Sequence, residues 1–178
     1  MSIRRVVTGR NSAGQSVFVS DGMPSRTVQF KHVPGLAAAL LWETPPSASL
    51  AGNEDKALAA VGWVPPAGGS NLMLVTFPPD AVMMSPGFDP AAAGGEYMQL
   101  LPGLAEKFER DCPGMHTSDT IDYAVLLDGE LHLELDDGQI KKLSPHDVVV
   151  QNGTRHAWRN RSDQPATMLF VLVGAKRG

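Results

Sequence analysis

Apolar and polar residues alternate along the last third of the chain with a period of two, which is typical of β-strands. The clearest alternation lies at residues 131–135, Leu-His-Leu-Glu-Leu. Apolar runs at 124–127, 148–150 and 167–173 surround it, and the segments Asp128-Gly129 and Asp136-Asp137-Gly138 supply turn residues between them. This pattern predicts an antiparallel sheet of short strands joined by tight turns.

One strand of this region has an unusual face. If residues 114–123 are extended, His116, Ser118, Thr120 and Asp122 lie on the same side of the strand. A half-buried strand usually turns an apolar face to the core. Four polar residues on one face therefore indicate a candidate site.

The first half of the chain predicts more strands, at 4–8, 16–20, 27–30, 36–42 and 71–77, although the alanines of 36–42 also permit a helix. Residues 47–70 are rich in Pro, Gly, Ala and Ser, which predicts a mobile loop with a short helix at 54–61. Asp89 and Pro90 are typical of a helix start, so we expect a helix to 102 and a further helical turn at 104–108. We interpret 1–110 as an N-terminal extension that packs on a barrel core at 111–178, within one structural domain.

Composition limits the function classes. The chain has 178 residues, a net charge of −4 and dispersed basic pairs, which argues against a nucleic-acid partner. No apolar run approaches the ~20 residues of a membrane-spanning helix, and the first residues lack the apolar region of a signal peptide. Cys112 is the only cysteine. We therefore expect a cytoplasmic protein without a membrane partner.

The spacing of the polar residues resembles the two motifs of the cupin superfamily. The first motif, His-x-His followed by Glu and Gly, is matched by His116, Ser118, Asp122 and Gly129. The second motif, Pro-x-Gly-x-x-His-x-x-x-Asn, is matched by Gln151, Gly153, His156 and Asn160, with Gln in place of Pro. Residues 147–158 are also similar to a narrower group of small bacterial cupin proteins. The resemblance implies an all-β, antiparallel jelly-roll barrel with an N-terminal strand extension and one or two short helices.

The same resemblance implies a metal site made of His116, Asp122 and His156, suited to iron, manganese, nickel or zinc. Ser118 replaces a usual histidine ligand and Asp122 is one methylene shorter than Glu, so a metal-free interior satisfied by hydrogen bonds remains an alternative. A metal-free enzyme is a further alternative, in which His156 would act as a general base oriented by Asp122.

Three further residues are expected in the pocket. Ser118 and Thr120 share the polar face, and Trp158 shares the parity of His156. Trp158 would form an aromatic wall of the pocket, although a tryptophan packed in the core is the commoner outcome.

The first hypothesis from this resemblance is an enzyme, with or without a metal ion, that acts on a small organic molecule as a dioxygenase, isomerase or lyase. The alternatives are a non-catalytic barrel that binds a small apolar or aromatic ligand without metal, and a structural subunit of a larger enzyme. Because jelly-roll proteins must protect their sheet edges, the N-terminal strands also predict a homodimer.

Overall fold

The computed structural model describes residues 3–178, and within this range the chain forms short antiparallel strands with little helix. The strands are β1 Arg5–Arg10, β2 Ser16–Gly22, β3 Arg26–Gln29, β4 Ala37–Thr44, β5 Ser70–Phe77, β6 Thr120–Asp128, β7 Leu131–Glu134, β8 Ile140–Leu143, β9 Val148–Asn152, β10 Ala157–Arg159 and β11 Ala166–Gly174. The helices are α1 Lys56–Ala59 and α2 Pro90–Leu100, with 3₁₀ turns at Asp80–Val82, Ala105–Lys107 and Asp136–Gly138.

Two sheets face each other across one core. The larger sheet has six strands in the order β3-β4-β5-β11-β6-β9, and the smaller has three in the order β10-β7-β8. Every pair of neighbouring strands is antiparallel. The predicted all-β jelly roll is therefore confirmed, but the described strands remain in separate sheets and do not close into one continuous barrel.

The main core lies between these sheets. The larger sheet contributes Leu126, Met168 and Phe170, and the smaller sheet contributes Leu131 and Leu143. Helix α2 and the segment after it add Ala93, Leu101 and Ala105 to the same cluster. Because this apolar packing surrounds the polar stripe, the candidate site is enclosed in a region of low dielectric constant.

The N-terminal residues extend the larger sheet. Strands β3, β4 and β5 continue it beside β11, and residues 36–42, which also permitted a helix, are mostly the strand β4. The two predicted helices are confirmed, and their N-caps are Asp55 and Asp89, whose side chains accept hydrogen bonds from backbone N–H groups of the first turn. The predicted boundary between an N-terminal extension and a barrel core near residue 110 stays a prediction. Strands from both sides of residue 110 share the larger sheet.

The homodimer also stays a prediction. The outer face of β6 and β9 carries exposed apolar side chains, among them Tyr123, Val148 and Val150. Strands β1 and β2 form a separate two-stranded sheet on which Phe18 is exposed.

Among the described residues, no helix is long and apolar enough to cross a membrane.

The turn between β6 and β7 requires glycine for two reasons. Gly129 has φ +81°, and a Cβ atom placed on it would lie 2.6 Å from the Pro165 carbonyl oxygen and 2.7 Å from Ala166 Cα. Gly138 has φ +68°, but a Cβ atom there would meet nothing within 4 Å. A side chain at either position would strain the backbone, but only a side chain at Gly129 would also overlap neighbouring atoms.

We expect Gly129→Ala to lower the free energy of unfolding by about 3 kcal/mol, because it adds a clash with backbone to the left-handed strain. Gly138→Ala is the matched control and should cost about 1 kcal/mol, from the strain alone. Urea denaturation of both variants measures the difference. Equal losses for the two variants would contradict the packing of the β6–β7 turn against residues 165 and 166.

Candidate functional site

A short backbone bridge brings the two motif histidines together. The N–H of His116 donates to the carbonyl oxygen of His156 at 2.9 Å, and the N–H of His156 donates to that of His116 at 3.0 Å. A second bridge joins His116 to Phe108. These bridges add short extended segments next to β10, so both histidines belong to the layer of the smaller sheet.

The two imidazole rings lie 4.2 Å apart between centroids, at an angle of 49°. Each ring is held by its Nδ1 atom: that of His116 lies 3.1 Å from the carbonyl oxygen of Gly114, and that of His156 lies 2.9 Å from the carbonyl oxygen of Thr154. A carbonyl oxygen only accepts, so each Nδ1 carries the proton and each Nε2 keeps its lone pair.

The polar stripe of the sequence is buried as predicted. His116, Ser118, Thr120 and Asp122 are all at least nine-tenths buried, whereas residues 119 and 123 between and after them are exposed. The regular strand β6 begins only at Thr120, so the first two stripe residues lie in an irregular segment. Alternation of the side chains therefore continues beyond the regular strand.

Asp122 has an unsatisfied oxygen. The Ser118 and Thr120 hydroxyls are 2.7 Å apart and hydrogen-bonded to each other. Asp122 is 6% exposed, and its Oδ1 atom has no hydrogen-bond partner among the described residues. A buried polar atom without a partner is costly, so it is a candidate contact for a bound molecule.

Burial sets the charge state of the site. It raises the pKa of Asp122 to about 6, although the Thr120 hydroxyl lowers it. Burial, followed by the nearby His116, lowers the pKa of His156 to about 4. Burial also lowers the pKa of His116, against its hydrogen bond to Gly114 and the charge of Glu109. Both imidazoles are therefore neutral at pH 7, and Asp122 exchanges its proton close to neutrality.

Aromatic rings surround the histidine pair. Phe108 lies against His116 with ring centroids 4.7 Å apart, and Trp158 meets His156 edge to face at 5.6 Å. Trp158 also contacts Phe170 at 5.6 Å. Trp158 therefore lies beside His156 and also packs against the core, and its role as a wall of the pocket stays a prediction.

An ionic cluster lies beside this site. Arg155 donates two hydrogen bonds to Glu109, at 2.6 and 2.7 Å, and a third to Asp136 at 2.7 Å. Glu109 follows Phe108 and Arg155 precedes His156 in the chain. The cluster therefore connects the two segments that carry the aromatic ring and the histidine.

The predicted residues are only partly brought together. His116 and His156 are in contact, and Ser118, Thr120 and Asp122 line the inner face of β6. However, no group of three His, Cys, Asp or Glu side chains in residues 3–178 is placed to hold a metal ion. The two imidazoles suit a metal, since ligating histidines commonly donate Nδ1–H to a carbonyl, but Asp122 does not complete a three-ligand set with them.

Two neighbours of the site carried little sequence signal. Phe108 is distant from both motifs and precedes a Cys-Pro-Gly turn, so nothing in the spacing placed it on His116. Phe170 lies in β11, where nearly every residue is apolar, so the sequence does not distinguish it from its neighbours. Only the topology, with β11 between β5 and β6, brings it beside Trp158.

Comparison with known proteins identifies the same region. Residues 107–172 match the family described as Cupin domain. Phomopsin biosynthesis cluster protein D of Diaporthe leptostromiformis is 51% identical over 63 residues, which cover 35% of this chain and 33% of that protein. Oryzines biosynthesis cluster protein J of Aspergillus oryzae is 36% identical over 88 residues, 49% of this chain and 45% of that protein. A cupin-domain-containing oxidoreductase of Hypocrea virens is 34% identical over 65 residues, which cover 35% of this chain and 34% of that protein.

The matched stretch thus spans between a third and a half of the length of these relatives.

Among solved structures, a Cupin_2 domain of a transcriptional regulator from Enterobacter cloacae covers 60% of this chain and 83% of its own, with TM-score 0.37 and 18% identity. A cupin superfamily protein from Desulfitobacterium hafniense covers 86% of this chain and 82% of its own, with TM-score 0.40 and 13% identity.

The two spaced histidine motifs lie inside residues 107–172, the segment that matches the Cupin domain family.

Proposed function

We propose that this protein is an enzyme that transfers a proton on a small organic molecule held between the two sheets, as an isomerase or a lyase does. The observation that carries the proposal is the buried juxtaposition of two imidazoles with free Nε2 lone pairs and a stripe that ends in an unsatisfied carboxylate oxygen. Buried polar groups are usually paired, so several unpaired acceptors that face one interior favour a bound molecule.

The chemistry follows from the protonation states. A neutral imidazole accepts a proton through Nε2, and the pKa of His156, lowered to about 4, keeps it neutral at pH 7. We therefore assign to His156, with His116 beside it, the removal of a proton from carbon next to a carbonyl group. Asp122 exchanges its proton near pH 6 and is suited to return one to the substrate. The apolar surroundings exclude water, which strengthens the interactions between these groups and the substrate.

The similarity to proteins named for biosynthesis clusters supports an enzyme that works on small organic molecules. The aromatic rings of Phe108 and Trp158 flank the histidines and would enclose a flat or apolar substrate. Ser118 and Thr120 would offer hydroxyl groups to its polar end.

A second candidate is a metal-dependent oxidation such as that of a dioxygenase. It is favoured by the Nδ1–H anchoring of both histidines, and the relative named as an oxidoreductase is consistent with it. His116 and His156 would hold a divalent transition metal through their Nε2 atoms, and Asp122 lies outside this pair of ligands. When bound, such a metal supplies Lewis-acid or redox chemistry.

The proton-transfer proposal is tested by hydrogen exchange in D₂O with a panel of small carbonyl compounds, with deuterium incorporation followed by mass spectrometry. We expect catalysed exchange on at least one compound, and a loss of about 10²-fold or more in His156→Ala because the base is removed. His32→Ala, at an exposed histidine, is the control and should exchange at the wild-type rate. A compound that binds tightly without exchange or turnover would favour the non-catalytic alternative instead.

The metal-dependent candidate predicts binding of iron, manganese, nickel or zinc to the wild type, and no binding to the double variant His116→Ala/His156→Ala. Calorimetric titration of each ion, with elemental analysis of protein purified without chelator, makes the measurement. His32→Ala again serves as the control. Absence of every ion from the purified protein, together with no binding on titration, would remove this candidate and leave the proton-transfer proposal standing.

The raised pKa of Asp122 predicts a pH-dependent stability. Since the folded state holds this proton more tightly than the unfolded chain, the contribution of Asp122 to stability is complete below pH 4 and declines as the pH rises to about 6. Asp122→Asn does not titrate. Its free energy of unfolding, relative to the wild type, should therefore rise by about 2 kcal/mol between pH 4 and pH 7.

Urea denaturation of both proteins across this range measures the difference. His156 also titrates in this range, but it is present in both proteins, so its contribution largely cancels. A difference that is constant from pH 4 to pH 7, or that falls, would show that Asp122 does not hold its proton in the folded state.

A further inference from the structure

Gln151 lies on the inner face of the larger sheet, close to the proposed reacting groups. It is 3% exposed and stands directly opposite Asp122 in the register of β6 and β9. Directly paired residues of antiparallel strands share a face, so the Gln151 side chain points to the same interior as Asp122. The proposed reaction gives Gln151 no role in proton transfer.

The Gln151 amide donates a hydrogen bond to the same carbonyl group that binds the His156 ring. Its Nε2 donates to the Thr154 carbonyl oxygen at 3.0 Å, and it also donates to the Thr154 hydroxyl. The same carbonyl oxygen accepts the hydrogen bond from His156 Nδ1 at 2.9 Å. A carbonyl oxygen has two lone pairs and can accept both donors, so Gln151 and His156 converge on one acceptor.

His116 lacks this support. Its Nδ1 is paired with the Gly114 carbonyl oxygen, and among the described residues no side chain donates to that oxygen. The two imidazoles therefore have the same kind of anchor, but only the anchor of His156 is fixed by a second donor. His116 therefore serves as the reference for His156 within the same protein.

The sequence position of Gln151 agrees with a specific role. It occupies the place of Pro in the second motif, and proline has no side-chain donor. A proline there would donate no hydrogen bond to the Thr154 carbonyl group. Gln supplies a donor that reaches three residues along the chain and fixes the turn through Gly153, whose φ is +61°.

We propose that Gln151 is a positioning residue that fixes the tautomer and the orientation of the His156 ring by holding the Thr154 carbonyl group. A fixed Nδ1–H tautomer keeps the Nε2 lone pair directed away from that carbonyl and available to a substrate. The catalytic consequence rests on the proposed function, but the effect on the ring does not. The ring can therefore be tested without any substrate.

The experiment is ¹⁵N NMR of the histidine side chains in the wild type and in Gln151→Met, which keeps the length and apolar bulk of the side chain and removes the donor. In the wild type we expect His116 and His156 both as the Nδ1–H tautomer. In Gln151→Met the ratio of Nδ1–H to Nε2–H for His156 should fall at least about threefold, since about 0.6 kcal/mol of hydrogen-bond free energy corresponds to such a ratio. The signal of His116 should be unchanged.

Two further variants separate the carbonyl from other effects. Thr154→Val removes the exposed hydroxyl and keeps the carbonyl, so the tautomer of His156 should remain as in the wild type. Gln151→Asn keeps the amide but shortens it by one methylene, and it should reproduce the loss seen with Met. This second change at Gln151 also keeps the test available if Gln151→Met does not fold.

A folded Gln151 variant in which His156 remains fully Nδ1–H would overturn the proposal. So would an equal change at His116 and His156, because that would indicate a general loosening of the site. If the NMR result is as expected but no compound shows exchange in D₂O, Gln151 still positions His156 and only the proposed function fails.

Discussion

The site depends on one reciprocal pair of backbone hydrogen bonds. His116 and His156 are 40 residues apart in sequence, and each donates its N–H to the carbonyl oxygen of the other. Because residues opposed in this way share a face, pairing the two backbones also brings the two rings side by side. The distance between the imidazoles follows from this pairing. The separate bridge between Phe108 and His116 sets the contact of those two rings, and Trp158 lies two residues after His156 on the same face.

The polar groups of the site lie in surroundings that are otherwise apolar. Leu126, Met168 and Phe170 line the same interior as Asp122, and little water is available to solvate a charge there. Such an environment favours the neutral form of every titratable group, which is why the pKa of the carboxyl rises while the pKa values of the imidazoles fall. The shifts keep both imidazoles in the neutral form at pH 7, and they bring the pKa of Asp122 close to neutrality.

Much of this arrangement could be predicted from the sequence, and the reasons are local. The stripe from His116 to Asp122 follows from side-chain alternation, which persists even where the regular strand has not begun. The turn at Gly129 and the helix start at Asp89 are likewise short-range signals. What sequence reasoning missed depends on long-range topology: Phe108 reaches His116 through an irregular segment, and the carboxylate of Asp122 does not join the imidazoles as three metal ligands. Spacing within a motif places residues on a face, but it does not give the distance between side chains from two different sheets.

The closeness of the two imidazoles limits how the site responds to acid. With ring centroids 4.2 Å apart and little surrounding water, two imidazolium ions would repel each other strongly. The first proton taken up therefore makes the second much harder to add, and the pair titrates as one unit with shared macroscopic constants. Acidification therefore changes the charge of this pair in two separate steps, and the second proton is added only at a much lower pH than the first.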